Sequence, residues 1–300
     1  MTQTLRPLYT GTQVVTLVPV IAPDNTVRRP VGSVGIVTRE PAGLSHAYRV
    51  RFSDGKELSF LRRQLDVRRH HERHATSDDL NWADFIQYRC VVGSRAFNLN
   101  SDTSDYDRRG FFLPPADAHW SLWGIPKHIE DPVTRDTYWE LGRFLEFLLK
   151  ADPNALEALS SPLVEHATPL AEELRALTPA FLSQLVYQTY SGYVMTQLKK
   201  LEADVRNHGG PRWKHGMHLL RLLISGTHIV RTGEMLLDVT PWREQLLDIK
   251  RGEWTWEAFA TWHQALQRDF EQAFATTRLP ERPQREPVND YLIRARRSMI

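Results

Sequence analysis

The stretch VVGSRAFNLNSDTSDYDRRGFFLPP, residues 91–115, carries the strongest signal for the fold of this chain. It is rich in Gly, Ser and Asp, yet apolar residues lie at both of its ends. Gly93-Ser94 follows the apolar run Cys90-Val91-Val92, and Asp105-Tyr106-Asp107 leads into Gly110-Phe111-Phe112. A surface turn needs Gly, Ser or Asp, but it does not need two carboxylates one residue apart between apolar strands. This arrangement indicates a binding site beside a small sheet.

The two carboxylates of Asp105 and Asp107 predict a metal site. Successive side chains of a strand point to opposite faces, so on a strand both carboxylates share one face. Two anions this close repel each other unless a cation lies between them. Mg²⁺, with Mn²⁺ as the alternative, accepts oxygen ligands and keeps positions open for phosphate. The other interpretation is that Asp102, Asp105 and Asp107 only cap turns, as Asp commonly does in polar loops.

The Gly93-Ser94 pair predicts a phosphate-binding turn at the end of a strand. A missing Cβ, free backbone N–H groups and the Ser94 hydroxyl together suit a β- or γ-phosphate. We therefore predict that Gly93, Ser94 and Arg95 bind a nucleotide. Binding a nucleoside triphosphate (NTP) together with its metal requires at least a strand, a Gly-Ser turn and an Asp-x-Asp pair, and this stretch contains all three.

Composition indicates a soluble globular protein with room for more than one domain. Of the 300 residues, 41% are hydrophobic and 25% are charged. The sequence has no apolar run of the ~18 residues that a spanning helix needs and no signal-peptide pattern, so we expect a cytoplasmic protein without a membrane partner. The single cysteine, Cys90, excludes an internal disulfide and a cysteine-based zinc site. Its apolar neighbours predict a buried side chain rather than a nucleophile.

Charge is unevenly distributed along the chain. The net charge is +2, but residues 1–75 hold 12 Lys or Arg against 6 Asp or Glu. A basic front end suits a polyanionic partner such as RNA, and it equally suits an ordinary solvated face.

Residues 1–75 predict a small β-barrel. Short apolar-polar alternation is broken by turn signals, and Ser53-Asp54-Gly55 between two alternating runs indicates a hairpin. About five short strands fit, and the pattern resembles SH3-like barrels, a fold that does not by itself set a function. The run RRHHERHA, residues 68–75, looks like a metal cluster, but its charged surroundings favour a solvated linker.

The rest of the chain predicts an α+β arrangement of two further domains. Residues 76–140 contain strand patterns for a mixed-sheet catalytic core. Residues 141–300 contain four long stretches with apolar residues at i, i+3, i+4 and i+7, which predict a helical bundle.

The motif around Asp105 and Asp107 resembles the Gly-Ser…Asp-x-Asp signature of the polymerase beta superfamily of nucleotidyltransferases. The likeness extends through DTYWELGRFLEFLLKADPNALEAL and WKHGMHLLRLLISG to roughly residues 80–297. On these motifs the chain looks like an RNA repair pathway DNA polymerase beta family nucleotidyltransferase.

The resemblance implies a third catalytic and metal-binding carboxylate on a neighbouring strand. By position it matches Asp136, with Glu130, Asp131 and Glu140 as competitors. One departure is visible, because the chain reads Asp152-Pro153-Asn154 where relatives commonly have Asn-Pro-Asn. That change puts a role for the first of these side chains in doubt, and Asn154 is expected to cap a helix.

The resemblance also implies that the helical domain closes the nucleotide site. Lys214, His218 and Arg221 stand at i, i+4 and i+7 and so share one helical face, which we predict lies outside the core. Tyr193 and Lys200 lie on another helix that is able to face the cleft. We assign these five residues to nucleotide binding, with a solvated basic face as the alternative.

The function implied is transfer of a nucleoside monophosphate from an NTP to an acceptor hydroxyl, with pyrophosphate released. The resemblance implies RNA ends as acceptor, damaged tRNA ends among them. A protein AMP-transferase, a small-molecule nucleotidyltransferase and a non-catalytic RNA-binding protein remain the alternatives. The base of the NTP and the oligomeric state are open.

Overall fold

The computed structural model describes residues 7–21, 27–41, 47–68, 80–102, 104–131 and 133–300. It confirms the α+β class, and the chain forms two compact units, Met1–Leu80 and Asn81–Ile300. The predicted catalytic core, from residue 81 onward, and the predicted helical domain lie within the second unit. A boundary between them at residue 140 stays a prediction. Residues 69–75 of the predicted linker lie outside the described residues.

The front unit is an antiparallel sheet with a small core of its own. Its described strands are β1 (Gln13–Thr16), β2 (Val20–Ile21), β3 (Val27–Arg29), β4 (Val34–Arg39), β5 (Tyr48–Phe52), β6 (Glu57–Phe60) and β7 (Leu65–Val67). Five of them form a sheet in the order β6-β5-β4-β1-β7, and β2 pairs with β3. The hairpin at Ser53-Asp54-Gly55 is confirmed as the connection between β5 and β6. The described edge strands β6 and β7 do not pair, so closure into an SH3-like barrel is not confirmed.

The second unit contains a mixed five-stranded sheet that positions the site. Its strands are β8 (Ile86–Val92), β9 (Asp107–Phe112), β10 (His128–Glu130), β11 (Thr137–Glu140) and β12 (Val164–Ala167). They lie in the order β10-β11-β9-β8-β12, with β9 and β11 parallel and the other pairs antiparallel. A short 3₁₀ turn, Trp82–Phe85, leads into β8.

Helices occupy most of the remaining chain. In chain order they are α1 (Ala116–Trp120), α2 (Leu141–Leu149), α3 (Pro153–Leu159), α4 (Pro169–Ala176), α5 (Thr178–Phe181), α6 (Leu185–His208), α7 (Trp213–Thr232), α8 (Arg243–Arg251), α9 (Trp256–Ala275) and α10 (Arg285–Arg297). One of the four stretches predicted as helical, residues 171–205, does not form a single helix, because it is divided near Pro179 and again before Leu185.

Apolar residues on the two faces of the sheet pack into separate clusters. Phe111 of β9 stacks on Phe144 of α2, and this face joins the large core formed with the helices. Phe112 points the other way and packs with Ile86 and Tyr138. Because side chains alternate along a strand, the position of a residue in β9 decides whether its side chain lies on the Phe111 face or on the Phe112 face of the sheet.

The side chain of Cys90 is part of the core. Cys90 is fully buried in the core, as predicted, and its thiol lies 3.2 Å from the Ala158 carbonyl. Within the described residues, no helix has both the length and the apolar character to span a membrane.

Candidate active site

The turn after β8 is built around Gly93. Its φ of +73° lies in the left-handed region, which favours glycine. The Phe97 N–H donates to the Gly93 carbonyl at 3.2 Å, and the Leu99 N–H donates to the Ser94 carbonyl at 2.7 Å. Residues 93–98 therefore form a tight helix-like turn, as the Gly-Ser motif predicts.

Asp107 lies against this turn. It is the first residue of β9 and pairs with Val92, the last residue of β8. A Cβ atom at position 93 would lie 3.1 Å from Oδ2 of Asp107, which is tighter than ordinary contact. Glycine therefore leaves space beside this carboxylate. Asp105 is exposed and precedes the strand, which begins two residues later than the sequence indicates.

A cleft of about 280 Å³ opens beside Gly93 and Asp107. The sheet and its turn contribute one group of lining residues, and helices α3, α6 and α7 contribute the other. The first group is Val92, Gly93, Phe97, Asp107 and Arg109; the second is Pro153, Asn154, Glu157, Tyr193, Gln197, His218, Arg221 and Leu222. The cleft thus brings together the predicted residues Gly93, Asp107, Tyr193, His218 and Arg221.

The start of α3 is held by a hydrogen-bond network at the edge of the cleft. Asp152 is the N-cap, accepting from the backbone N–H groups of Asn154 (2.9 Å) and Ala155 (3.2 Å). The Tyr193 hydroxyl donates to Asp152 Oδ2 at 2.6 Å and accepts from Asn154 Nδ2 at 3.0 Å. The expectation that Asn154 caps the helix is wrong, because Asp152 fills that position. Burial and the hydrogen bond to Asp152 raise the pKa of Tyr193.

Arg221 is buried and already has a partner. Its Nη1 lies 2.7 Å from Oε1 of Glu157, and its guanidinium stacks 3.8 Å from the ring centroid of Phe97 in the Gly93 turn. The prediction that this helical face lies outside the core is wrong at Arg221, which is 5% exposed. Glu157 supplies the counter-charge that makes the burial of a guanidinium tolerable.

His218 presents a neutral imidazole to the cleft. Burial lowers its pKa, and the charges of Arg221 and Lys214 lower it further, to about 3. Desolvation disfavours the charged form, and two nearby cations add repulsion. His218 is therefore uncharged near neutral pH and is suited to hydrogen bonding rather than to neutralising phosphate.

Four predicted nucleotide-binding residues do not line the cleft. Lys200 and Lys214 are exposed on α6 and α7. Ser94 lies in the turn but outside the cleft lining, and Arg95 stacks 3.8 Å from the ring centroid of Tyr106 while donating to the Ser104 carbonyl. Helical spacing correctly places Lys214 and Arg221 near one face, but Lys214 lies almost two turns from the cleft residue Arg221.

Asp136 is not among the residues that line the cleft. It directly precedes β11, and its Oδ1 is buried without a hydrogen-bond partner among the described residues. The Glu165 hydrogen bond and, more weakly, the charge of Asp136 raise the pKa of Arg108. The Asp136 carboxylate is therefore close enough to Arg108 for its charge to act there. In the described part of the chain, no group of three or more His, Cys, Asp or Glu is placed to hold a metal.

Comparison with known proteins identifies the family of the chain. Residues 62–294, most of the chain, match the family described as RNA repair pathway DNA polymerase beta family (RlaP). The chain belongs to this family. Over 101 residues it is also 38% identical to the uncharacterized protein YcgL of Bacillus subtilis (strain 168), covering 32% of this chain and 39% of YcgL. The chain therefore matches well under half of the length of that relative. No solved structure matches the chain.

The aspartate pair of this RlaP family member fits a hard divalent cation. Among the described residues, the carboxylate of neither Asp105 nor Asp107 makes a hydrogen bond or an ion pair. The missing Cβ of Gly93 leaves space beside Asp107 for further oxygen ligands. Two unpaired carboxylates with room for phosphate oxygens match the preference of Mg²⁺ and Mn²⁺.

Sequence reasoning missed several residues of the RlaP cleft. Arg109, Glu157 and Gln197 all line it, and Asn154 lines it without being the cap. One signal was present, because Glu157 in NALEAL and Arg221 in HLLRLLI are single opposite charges inside apolar helical runs. Each of them needs a buried partner.

A larger cavity of about 570 Å³ lies elsewhere, between α2 and α10. Two of the arginines that line it are paired with carboxylates, Arg143 with Glu146 and Arg296 with Glu140. None of the residues predicted for the nucleotide site line it, so the smaller cleft is the candidate active site.

Proposed function

We propose that this protein transfers a nucleoside monophosphate from an NTP to the hydroxyl of an RNA end and releases pyrophosphate. The observation that carries the proposal is the close approach of Gly93, at positive φ, to the Asp107 carboxylate, at one side of a cleft that Tyr193 and His218 also line. The RlaP family suggests a polymerase beta-like nucleotidyltransferase in RNA repair. That the substrates are an NTP and an RNA end is our proposal and goes beyond what the family suggests.

Asp105 and Asp107 would hold Mg²⁺, with Mn²⁺ as the alternative. Such an ion neutralises charge on phosphate oxygens and lowers the barrier to displacement. Backbone N–H groups of the Gly93 turn would hold the triphosphate. The Ser94 hydroxyl and Arg95 belong to the same turn but would have to reorient to join them, because neither lines the cleft. Positioning and charge neutralisation then carry most of the rate, as little covalent chemistry is asked of the protein.

The helical residues take different roles within the proposal. Tyr193 and His218 line the cleft and offer neutral hydrogen-bonding groups to the nucleotide. Arg221, paired with Glu157 and stacked on Phe97, acts by holding the Gly93 turn rather than by gripping phosphate. Asp136 stays the candidate third carboxylate because its Oδ1 is buried without a partner, although it does not line the cleft.

Incubation with each α-³²P-labelled NTP, Mg²⁺ and a pool of intact and cleaved tRNA tests the proposal. We expect label in RNA with one or more of the NTPs. Label in protein or in a small molecule would instead identify a protein AMP-transferase or a small-molecule nucleotidyltransferase, and no label with any acceptor would favour a non-catalytic RNA-binding protein. The Asp136→Asn variant in the same assay tests the third carboxylate.

A further inference from the structure

Four cations lie together outside the cleft, and we name them the cationic rim: Lys200, Arg212, Lys214 and Lys250. Lys200 lies on α6, Arg212 and Lys214 flank the start of α7, and Lys250 lies near the end of α8. Lys200, Arg212 and Lys214 are exposed. Among the described residues, the side-chain ammonium group of none of the three lysines makes a hydrogen bond or an ion pair.

The cationic rim borders the mouth of the cleft. His215, next to Lys214, lies 3.1 Å through Nδ1 from Oε1 of the cleft residue Gln197. Burial lowers the pKa of His215, and the charges of Lys200, Arg212 and Lys214 lower it further while Asp204 opposes them.

Lys250, near the end of α8, is close enough to the cleft for its charge to act there. Its charge, with that of Lys214, acts on the cleft residue His218. Asp204 lies 3.6 Å from Arg212 and offsets only one of the four positive charges. A net positive surface therefore stands beside the candidate active site.

An exposed aromatic side chain lies next to the rim. Trp213, between Arg212 and Lys214 in the chain, has its ring centroid 6.3 Å from that of Trp256. Trp256 is 43% exposed at the start of α9, although indole normally gains by burial. An exposed tryptophan beside unpaired cations is the combination that single-stranded nucleic acids use, since phosphates contact the cations and a base stacks on the ring.

We propose that the cationic rim and Trp256 form a landing surface for single-stranded RNA that leads its end into the cleft. The inference rests on the proposed function and adds the place where the acceptor binds. An NTP triphosphate is a poorer occupant, because Lys200 and Lys214 do not line the cleft. An acidic peptide would account for the cations, but it has no base to stack on the exposed indole of Trp256.

Fluorescence anisotropy with a labelled single-stranded oligoribonucleotide, in Mg²⁺ without NTP and over a range of salt, tests this surface in the full chain. Lys200→Ala and Lys214→Ala should each lower affinity and reduce the slope of log affinity against log salt by about 0.7. Trp256→Ala should lower affinity by about fivefold or more and leave the slope unchanged, because stacking is not ionic. Arg278→Ala is the matched control, since Arg278 is exposed just beyond the far end of α9, about 30 Å along the helix.

RNA affinity and salt slope unchanged in all three variants, or equally reduced in Arg278→Ala, would overturn the inference. Weaker NTP binding with RNA binding intact would make the rim a triphosphate site, and a polyglutamate peptide competing as well as RNA would make it a peptide site. Either result also overturns it. The proposed function fails separately: RNA binding through this surface without nucleotide transfer would overturn the function alone, and transfer with RNA binding unaffected by the variants would overturn the surface alone.

Discussion

Nη1 of Arg221 lies 2.7 Å from Oε1 of Glu157, and their side chains are only 6% and 10% exposed. This ion pair joins α7 to α3, and the same guanidinium stacks on Phe97 in the turn that contains Gly93. Arg221 of α7, paired with Glu157 of α3, thus packs against the candidate phosphate-binding turn. A buried ion pair is costly to break because the remaining charge is left without a partner.

Glu157→Gln should destabilise the fold by about 3–5 kcal/mol, since it leaves the buried Arg221 charge uncompensated. The free energy of unfolding in urea measures this loss. Glu146→Gln is the control, because the Arg143–Glu146 pair is largely exposed and such pairs contribute less than about 1 kcal/mol. Equal small losses in both variants would show that the buried pair does not support the fold.

Gly93→Ala should reduce nucleotide transfer more than its effect on stability explains. Both Gly93→Ala and the control Gly55→Ala place a side chain at positive φ, +73° and +78°, at a cost of about 1–2 kcal/mol. Only position 93 would push a Cβ against Asp107, whereas Gly55 has open space around it. Transfer rate and unfolding free energy measured for both variants separate the effects, and comparable transfer by the two would exclude a role for this contact.

His218 should make stability depend on pH below its ordinary pKa near 6.5. Because the folded pKa is lowered to about 3, the unfolded chain binds a proton in the window between these values while the folded chain does not. The contribution of the neutral His218 imidazole to the free energy of unfolding is fully present above pH 6.5. It declines by about 1.4 kcal/mol per pH unit as the pH falls toward 3. Unfolding in urea from pH 7.5 to 4.5 should therefore be less pH-dependent in His218→Gln than in the wild type. The exposed His128 provides the control, and a His128→Gln variant that flattened the profile equally would argue against burial as the cause.

Tyr193→Phe should weaken the start of α3, because it removes the hydroxyl that donates to Asp152 at 2.6 Å. A hydrogen bond to a charged group contributes about 1.5–3 kcal/mol. Urea unfolding gives the loss, with Tyr106→Phe as the control because Tyr106 is exposed beside the same site. If the two variants were equally stable, the Tyr193–Asp152 bond would carry no stability.

The part of the site that a local motif encodes was predictable from the sequence. Gly93 directly follows β8 and Asp107 begins the neighbouring strand β9, so the pairing of these two strands places them together. Tyr193 and His218 were also expected in the cleft, although their assignment came from a family resemblance.

The rest of the site, and the closure of the front sheet, depend on packing between segments that are distant in the sequence. Helical period places Lys214 and Arg221 on one face, but only the position of Glu157 on α3 shows that Arg221 is buried. Asp136 illustrates the same limit for strands, because the register of β11 against β9 determines which face it shares. Closure of the front sheet depends on pairing between β6 and β7, which alternating residues do not specify.

Transfer of label from an α-³²P NTP to RNA by Asp107→Asn tests the central claim most directly, with the wild type and Asp102→Asn beside it. Asp102 is an exposed carboxylate of the same loop and serves as the matched control. Losing a metal-binding carboxylate removes several kcal/mol of transition-state stabilisation, so Asp107→Asn should transfer at least about a hundredfold more slowly while Asp102→Asn stays within about twofold of the wild type. Transfer by Asp107→Asn at the wild-type rate, with its fold intact by circular dichroism, would contradict the account.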